Sequence, residues 1–421
     1  MAPAWWLIPA FVAGYILITL ERPLRLNKSA VALLTGVLCW GLLLIAYAEY
    51  QEAFLHALTA YIADIASIVF FLLCAMAIVE TIRVHRGFLL LARWLSVKRS
   101  GGVFALITGM TFFLSALIDN MTSTLVMIAL LRGIVPEQRQ LRILLVGLVI
   151  IAANAGGAWS PIGDVTTTML WLGGHIHTTE IVRVLFLPSL ATVLVPLLVM
   201  MPFLRQEWSV PTVRFPEPEP CAGLVFTLGI GGLLFIPIFH ALTGLPPVFG
   251  AFWAVGVLWV STEALHHRHP NRDHLRLQST LRAIDISSLL FFVGILLAVD
   301  ALETGRVLPH LARWLDQLVP VKEAAISLLG ILSAVVDNVP LTAACMKMYA
   351  AYPPNHWLWM LLAYAVGTGG SILVIGSAAG VVAMNAEEID FFWYLTRIAP
   401  LALLGYGAGI VTLLALRAFG W

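Results

Sequence analysis

The sequence predicts an all-α polytopic membrane protein made of two inverted repeats, each with about five spans, one re-entrant hairpin and one broken helix. Three observations carry this reading. Of the 421 residues, 60% are hydrophobic and 11% charged, against roughly 25% charged in an average soluble domain. Apolar stretches near the ~20 residues that cross a bilayer recur along the whole chain, for example at 2–20, 30–48, 65–82, 183–204, 221–242 and 284–302. Three short motifs also appear twice, in the same order.

The composition excludes an ordinary water-soluble enzyme, and no HExxH or GxSxG motif supplies a nucleophile or base. A formal net charge of +1, without a long run of like charge, gives no footprint for nucleic acid. The opening segment "MAPAWWLIPAFVAGYILITL" lacks a basic leader and a small-residue cleavage site, so it reads as a retained span. Cys39, Cys74, Cys221 and Cys345 lie at scattered spacing in apolar segments and read as packing residues.

The repeated motifs set the organisation. "ARWL" occurs at 92–95 and 312–315, each copy after an apolar span that contains "FF" and ends in an acid, Glu80 or Asp300. Ser-Ala, two apolar residues and Asp-Asn recur in "SALIDN" at 115–120 and "SAVVDN" at 333–338. "AGGAWSPIG" at 155–163 is matched by "TGGSILVIG" at 368–376. The proline-rich linker "RQEWSVPTVRFPEPEP" at 205–220 then separates a first repeat, 1–204, from a second, 221–421.

Loop charge orients the halves. Arg83, Arg86, Arg93, Lys98 and Arg99 precede the apolar stretch 101–131, and Arg132, Arg139 and Arg142 follow it. Both flanks therefore read as cytoplasmic. A stretch of ~30 residues that enters and leaves by one side suits two half-depth helices, a re-entrant hairpin turning near Asp119. The same reading of 323–352 leaves five spans per half, and an odd number inverts the second copy. The acidic segment 386–390 then falls on the cytoplasmic side, an anomaly the rule tolerates because acids count little in it.

A carboxylate in hydrocarbon costs several kcal/mol by roughly any scale, so an acid there faces a cavity, a partner or an ion. Asp119 and Asp337 occupy matching places, followed by Asn120 and Asn338. The bland alternative is an acid satisfied by a helix end or a neighbouring hydroxyl. Thr122, Ser123, Thr124 and Thr342 offer further oxygens, though each suits helix capping as well. In "NAGGAWSPIGDVTTT", 154–168, glycine pairs and Pro161 interrupt a span, and unwound backbone at membrane depth is tolerated only inside protein or beside a cavity. Asn154, Ser160, Asp164, Thr166 and Thr167 place oxygens at this break, and Thr368, Ser371 and Ser377 do so at the second. Small-residue helix packing is the competing explanation of the glycines.

No Lys or Arg lies between Arg142 and Arg183 or between Lys347 and Arg397, so neither broken span brings a fixed cation for an anionic substrate. Asp119, Asp164 and Asp337, with amide, hydroxyl and carbonyl oxygens, suit a small hard cation. Carboxylates so placed hold either protons or a metal cation, and exchange of one for the other across the membrane follows. "HHRHPNRDH" at 266–274 has irregular spacing and reads as a solvated loop. His85, beside Arg83 and Arg86, is a possible pH sensor.

These motifs, with "LERPLRLNKSAVALLTGVLCW" at 20–40 and "DFFWYLTRIAPLALLGYGAGI" at 390–410, closely resemble the NhaD-type sodium/proton antiporters of the ion transporter superfamily. The likeness runs through nearly the whole chain. It implies a carrier of the bacterial inner membrane that exchanges Na⁺ or Li⁺ for H⁺ and needs no cofactor. It also implies a lipid-embedded homodimer with a scaffold domain and a moving transport domain. Carried over by motif, the site comprises Asp119, Asn120, Asn154, Asp164 and the threonines after it, Ser333, Asp337, Asn338 and Ser371, with Na⁺ or Li⁺ at Asp119, Asp164 and Asp337. Ser377 stands where Asp164 would align, which places the expected cation nearer the first break. The main rival is an anion carrier of the same superfamily, for arsenite or a dicarboxylate, which the acids oppose.

Overall fold

The computed structural model describes residues 3–95, 100–204 and 216–420, and those residues form helices and no strand. Lys98, Arg99 and residues 205–215 of the linker lie outside the described residues, as does the side chain of Arg93. The first half runs through α1 (Leu7–Thr19), α2 (Lys28–Ala46), α3 (Gln51–Val84), α4 (Ser100–Ser115), α5 (Asn120–Ile134), α6 (Arg139–Ala158), α7 (Val165–Leu172) and α8 (Thr178–Met200). The second half repeats that series with α9 (Ala222–Thr243), α10 (Pro247–His266) and α11 (Ile286–Thr304). An amphipathic α12 (Val307–Leu318) leads into α13 (Lys322–Leu332), α14 (Asn338–Met348), α15 (Trp357–Gly369) and α16 (Ala378–Glu387). A short α17 (Phe391–Arg397) and α18 (Ala399–Ala418) close the chain.

Among the described residues, eight helices are long and apolar enough to cross a membrane: α2, α3, α6, α8, α9, α10, α11 and α18. Their ends are set locally. Asn27 caps α2 by accepting from the Ser29 and Ala30 amides, and Gly244, at φ 70°, closes α9 in the left-handed conformation that suits glycine. The paired limbs α4/α5 and α13/α14 are shorter, with 16 and 15 residues against 11 and 11. At 1.5 Å per residue they reach roughly 16–24 Å, less than the ~30 Å hydrocarbon core. Each pair is short enough for the half-depth hairpin that the sequence predicts.

Two helices lie at the centre. Residues 145–158 of α6 and 358–369 of α15 are buried without interruption, as an apolar helix surrounded by others must be. They pack on each other, and their own hairpins pack on them, α4 on α6 and α13 on α15. Across the halves α2 packs on α11 and α3 on α10, α5 on α16 and α14 on α7, and α8 on α18. Exchanging the halves leaves this set of pairings unchanged, which is consistent with two copies of one unit. The α2–α11 seam is close because both helices bring glycine to it: a Cβ on Gly36 would lie 2.7 Å from the Gly294 carbonyl oxygen. Trp40 Nε1 donates to the Leu297 carbonyl at 2.9 Å across the same seam.

The acidic segment at 386–390 has a structural explanation. Glu387, 4% exposed at the end of α16, accepts from Arg132 Nε at 2.7 Å and Arg142 Nε at 2.8 Å. Arg139 donates to the Glu387 carbonyl at 3.2 Å. Glu387 lies against the basic cluster that flanks the first hairpin, so its charge is compensated on that side. Removing Glu387 leaves the Arg142 charge mostly buried and the Arg132 charge half exposed, so the loss falls below the about 3–5 kcal/mol of a fully buried pair. Glu387→Ala is therefore expected to lower the thermal unfolding temperature in detergent by several degrees, read by intrinsic fluorescence, while Glu388→Ala, at an exposed position, leaves it unchanged.

His266 departs from the solvated-loop reading. It ends α10 fully buried, with Nε2 3.1 Å from Nε2 of buried His85, while His267, His269 and His274 are exposed. The physical reason is the packing of α10 on α3, which brings the two helix ends together. His85 Nδ1 lies 2.8 Å from the Thr81 carbonyl, an oxygen that only accepts, so Nδ1 carries the proton and Nε2 accepts from His266. Burial lowers the His85 pKa, opposed by the Thr81 carbonyl and by Glu219 and reinforced by His274. A base with a lowered folded pKa contributes stability that is present above its unfolded value and lost as pH falls. Acidification from about pH 7.5 to about pH 5.5 should thus lower the unfolding temperature of the wild type more than that of His85→Gln, measured in the same detergent.

Candidate functional site

The site begins with the two breaks. Residues 159–164 separate α6 from α7, and 370–377 separate α15 from α16. Both loops double back so closely that glycine is required. A Cβ on Gly163 would lie 2.6 Å from the Ser115 carbonyl oxygen, and one on Gly376 would lie 2.6 Å from that of Ala334. Each break is thereby pressed against the tip of its own half's hairpin. Two serines fasten the tips: Ser115 Oγ donates to the Ala153 carbonyl at 2.6 Å, and Ser333 Oγ to the Val366 carbonyl at 3.2 Å.

Asp164 stands where the two hairpins meet. It is 4% exposed and occupies the N-cap position of α7, yet its side chain makes no capping bond. Its carboxylate instead accepts from Asn120 Nδ2 at 3.1 Å, from Asn338 Nδ2 at 3.5 Å and from the Thr166 hydroxyl. Asn120 Nδ2 also lies 3.3 Å from Asn154 Oδ1, and Asn154 Nδ2 donates to Ser377 Oγ at 3.1 Å. One polar chain, Asn338–Asp164–Asn120–Asn154–Ser377, thus draws a residue from each hairpin and each break.

The hairpin acids are placed differently from their asparagines. Asp119 caps α5, accepting from the Thr122 amide at 2.7 Å and the Thr122 hydroxyl at 2.6 Å. Asp337 caps α14, accepting from the Val339 amide at 3.0 Å. The helix starts draw these carboxylates to their unpaired N–H groups, and the next residue in each limb turns toward Asp164. No three His, Cys, Asp or Glu side chains gather as a metal-holding group among the described residues. The carboxylates of Asp119 and Asp337 thus bond their own helix starts, while the bonds of the Asp164 carboxylate run to two amides and a hydroxyl.

The remaining predicted oxygens sit around this chain or in its backbone support. Thr167 Oγ1 donates to the Asp164 carbonyl at 2.9 Å, and Ser160 Oγ accepts from the Ile162 amide at 3.4 Å. Ser371, in the second break, donates back to the Thr368 carbonyl of α15 at 2.7 Å, and Thr368 donates to the Tyr364 carbonyl of the same helix at 2.6 Å. Ser377 accepts from the Gly380 amide at 3.2 Å as the cap of α16. His85 shares no recorded bond with this group. Sequence reasoning passed over Ser115, which the repeat itself marks as the partner of Ser333. It also passed over Tyr15, whose hydroxyl accepts from the Asp337 amide at 2.9 Å and which no motif signals.

None of Asp119, Asp164 and Asp337 has an ion-pair partner among the described residues. A charge buried without a partner costs far more than a hydrogen-bonded amide repays. The arrangement suits a carboxylate that holds a proton or a small cation, with neighbouring amides able to turn their oxygens inward.

A protein-family model described as a citrate transporter, CitMHS, matches residues 15–367. Sodium/proton antiporter 1 of Arabidopsis thaliana is 44% identical over 97% of this chain and 71% of its own length. The Na(+)/H(+) antiporter NhaD of Alkalimonas amylolytica is 31% identical over 98% of this chain and 90% of its own. Among solved structures, the YdaH transporter of Alcanivorax borkumensis matches with a TM-score of 0.64 at 14% identity, covering 93% of this chain and 99% of that one, a likeness of fold. The chain belongs to the CitMHS family and to the NhaD-type sodium/proton antiporters: it is a multi-pass membrane transporter and not an enzyme.

Proposed function

We propose that the protein exchanges Na⁺ or Li⁺ for H⁺ by alternating access, with cation and proton competing for the Asp164 carboxylate. The observation that carries this reading is a buried acid with three hydrogen-bond donors and no fixed cation. Such an acid is neutral when protonated and neutralised when a monovalent cation sits on it, so one ion replaces the other at little electrostatic cost. Asn120, Asn154 and Asn338 would supply amide oxygens to the bound cation, and Thr166 a hydroxyl. Asp119 and Asp337 contribute from the second rank, as charges at the hairpin tips that favour a cation's approach.

The relatives named as sodium/proton antiporters in both a plant and bacteria support the exchange. The bacterial inner membrane as its address rests on the bacterial relatives alone. The division into inverted repeats at 1–204 and 221–421 rests on the twofold pattern of motifs and pairings, and a homodimer on the family resemblance. The family model's citrate-transporter description favours the anion reading. A buried carboxylate at the meeting point of both hairpins opposes it, since it would repel an anion.

Asp164→Asn is expected to lower sodium-driven proton release in everted vesicles by on the order of a hundredfold, the loss expected when the charge that neutralises a desolvated cation is removed. Asn caps a helix about as well as Asp, so Asp119→Asn separates charge from capping. We expect it to weaken exchange while leaving the unfolding temperature close to wild type, whereas Asp119→Ala lowers both. Exchange that is normal in Asp164→Asn at matched protein level would defeat the assignment.

Competition at one carboxylate also fixes the pH dependence. Lowering the pH should raise the apparent KM for Na⁺ and leave the maximal rate largely intact, because saturating sodium displaces the proton. Exchange rates across a sodium series at several pH values test this; a KM independent of pH, with a maximal rate that switches steeply, would refute shared-site competition.

A further inference from the structure

The second hairpin is held differently from the first. At the outer end of α14, Lys347 Nζ lies 3.1 Å from Asp300 Oδ1 and 2.9 Å from Glu303 Oε2, both on α11. The same ammonium sits 4.4 Å from the ring centroid of Tyr61 on α3, whose hydroxyl donates to Glu303 at 3.2 Å. Asp300 is 5% exposed, so these contacts are largely shielded from water. The outer end of α14 is therefore fixed to the third spans of both halves.

The inner end carries Asn338, and beside the Ser333 and Asn338 bonds already described a third bond reaches it from α1. Tyr15 Oη on α1 accepts from the Asp337 amide at 2.9 Å. Tyr15 is itself held firmly. Its neighbour Gly14 lets α1 approach α2 so closely that a Cβ there would lie 2.6 Å from Thr35 Cγ2, and the Phe11 ring stacks on Tyr15 at 6.2 Å. No corresponding bond reaches the Asp119 amide among the described residues. With the outer end anchored and Ser333 fastening the start of the tip, the Tyr15 bond helps set how far Asn338 reaches toward Asp164, a contact that at 3.5 Å is already the longest of the donors.

We infer that Tyr15 is a positioning residue for the cation site, acting through Asp337 to place the Asn338 amide against Asp164. This rests on the sodium/proton reading for its transport consequence but not for its structural one. Loss of the bond frees the hairpin tip and weakens the grip of Asn338 on the ion, which appears in affinity and not in turnover.

The test compares Tyr15→Phe, Asn338→Ala and the double variant with wild type, in everted vesicles and as purified protein. Tyr15→Phe is expected to raise the KM for Na⁺ about fivefold, the scale of one hydrogen bond, with the maximal rate retained. In the Asn338→Ala background the same substitution should add nothing, because the amide it positions is gone. Hydrogen exchange of a peptide covering 333–342 should accelerate in Tyr15→Phe whether or not sodium is present. A fall in maximal rate at unchanged KM, or an equal KM rise in the Asn338→Ala background, would overturn the inference, as would unchanged exchange at 333–342. A wild type that shows no sodium response would fail the antiport reading instead, and the hydrogen-exchange comparison would still decide the role of Tyr15.

Discussion

Everything in this molecule is arranged around the cost of a carboxylate that has been taken out of water and given no cation of its own. Asp164 is almost fully buried, and its partners are two amides and a hydroxyl. Those donors soften the loss of hydration without cancelling the charge. The rest of the fold supplies what that situation needs: two broken helices to open a polar space at depth, two hairpins to bring amides into it, and two central helices, α6 and α15, to hold the breaks in register. A helix that simply crossed the bilayer would offer no free oxygens at this level.

The same constraint explains the distribution of glycine and charge. Gly163 and Gly376 allow each break to lie against a hairpin tip where a side chain would not fit. The basic residues are kept at the outer ends, where Arg132 and Arg142 close on Glu387 and Lys347 on Asp300 and Glu303. Fixed cations thereby tie the hairpins to their neighbours without reaching Asp164. A lysine or arginine at the centre would satisfy the acid permanently.

Much of this was legible in the chain. The repeated Ser-Ala-x-x-Asp-Asn and glycine motifs marked both hairpins and both breaks, because a duplicated unit repeats its special backbone needs along with its spans. Loop arginines gave the re-entrant reading of 101–131, since charge beside the membrane is a long-range property of the sequence. The division of labour inside Asp-Asn was not legible. Either residue caps a helix and either offers an oxygen, so only the folded backbone shows that Asp119 and Asp337 turn to their own helices while Asn120 and Asn338 face Asp164. Glu387, His266 and Tyr15 were hidden for a different reason: their partners are remote in sequence, and local pattern carries no record of a contact made by tertiary packing.

The unequal hairpins have an electrical consequence. Limbs of about fifteen residues on one side and eleven on the other place the meeting point of the tips off the midplane, if the two hairpins enter from opposite faces as the inverted reading requires. With reaches of roughly 22 and 16 Å, an ion arriving along the second hairpin crosses about two fifths of the voltage drop and one arriving along the first about three fifths. At ~2.3 kcal/mol per elementary charge per 100 mV, those shares differ by roughly 0.4 kcal/mol per 100 mV. A membrane potential would then bias cation loading unequally from the two sides of the bilayer.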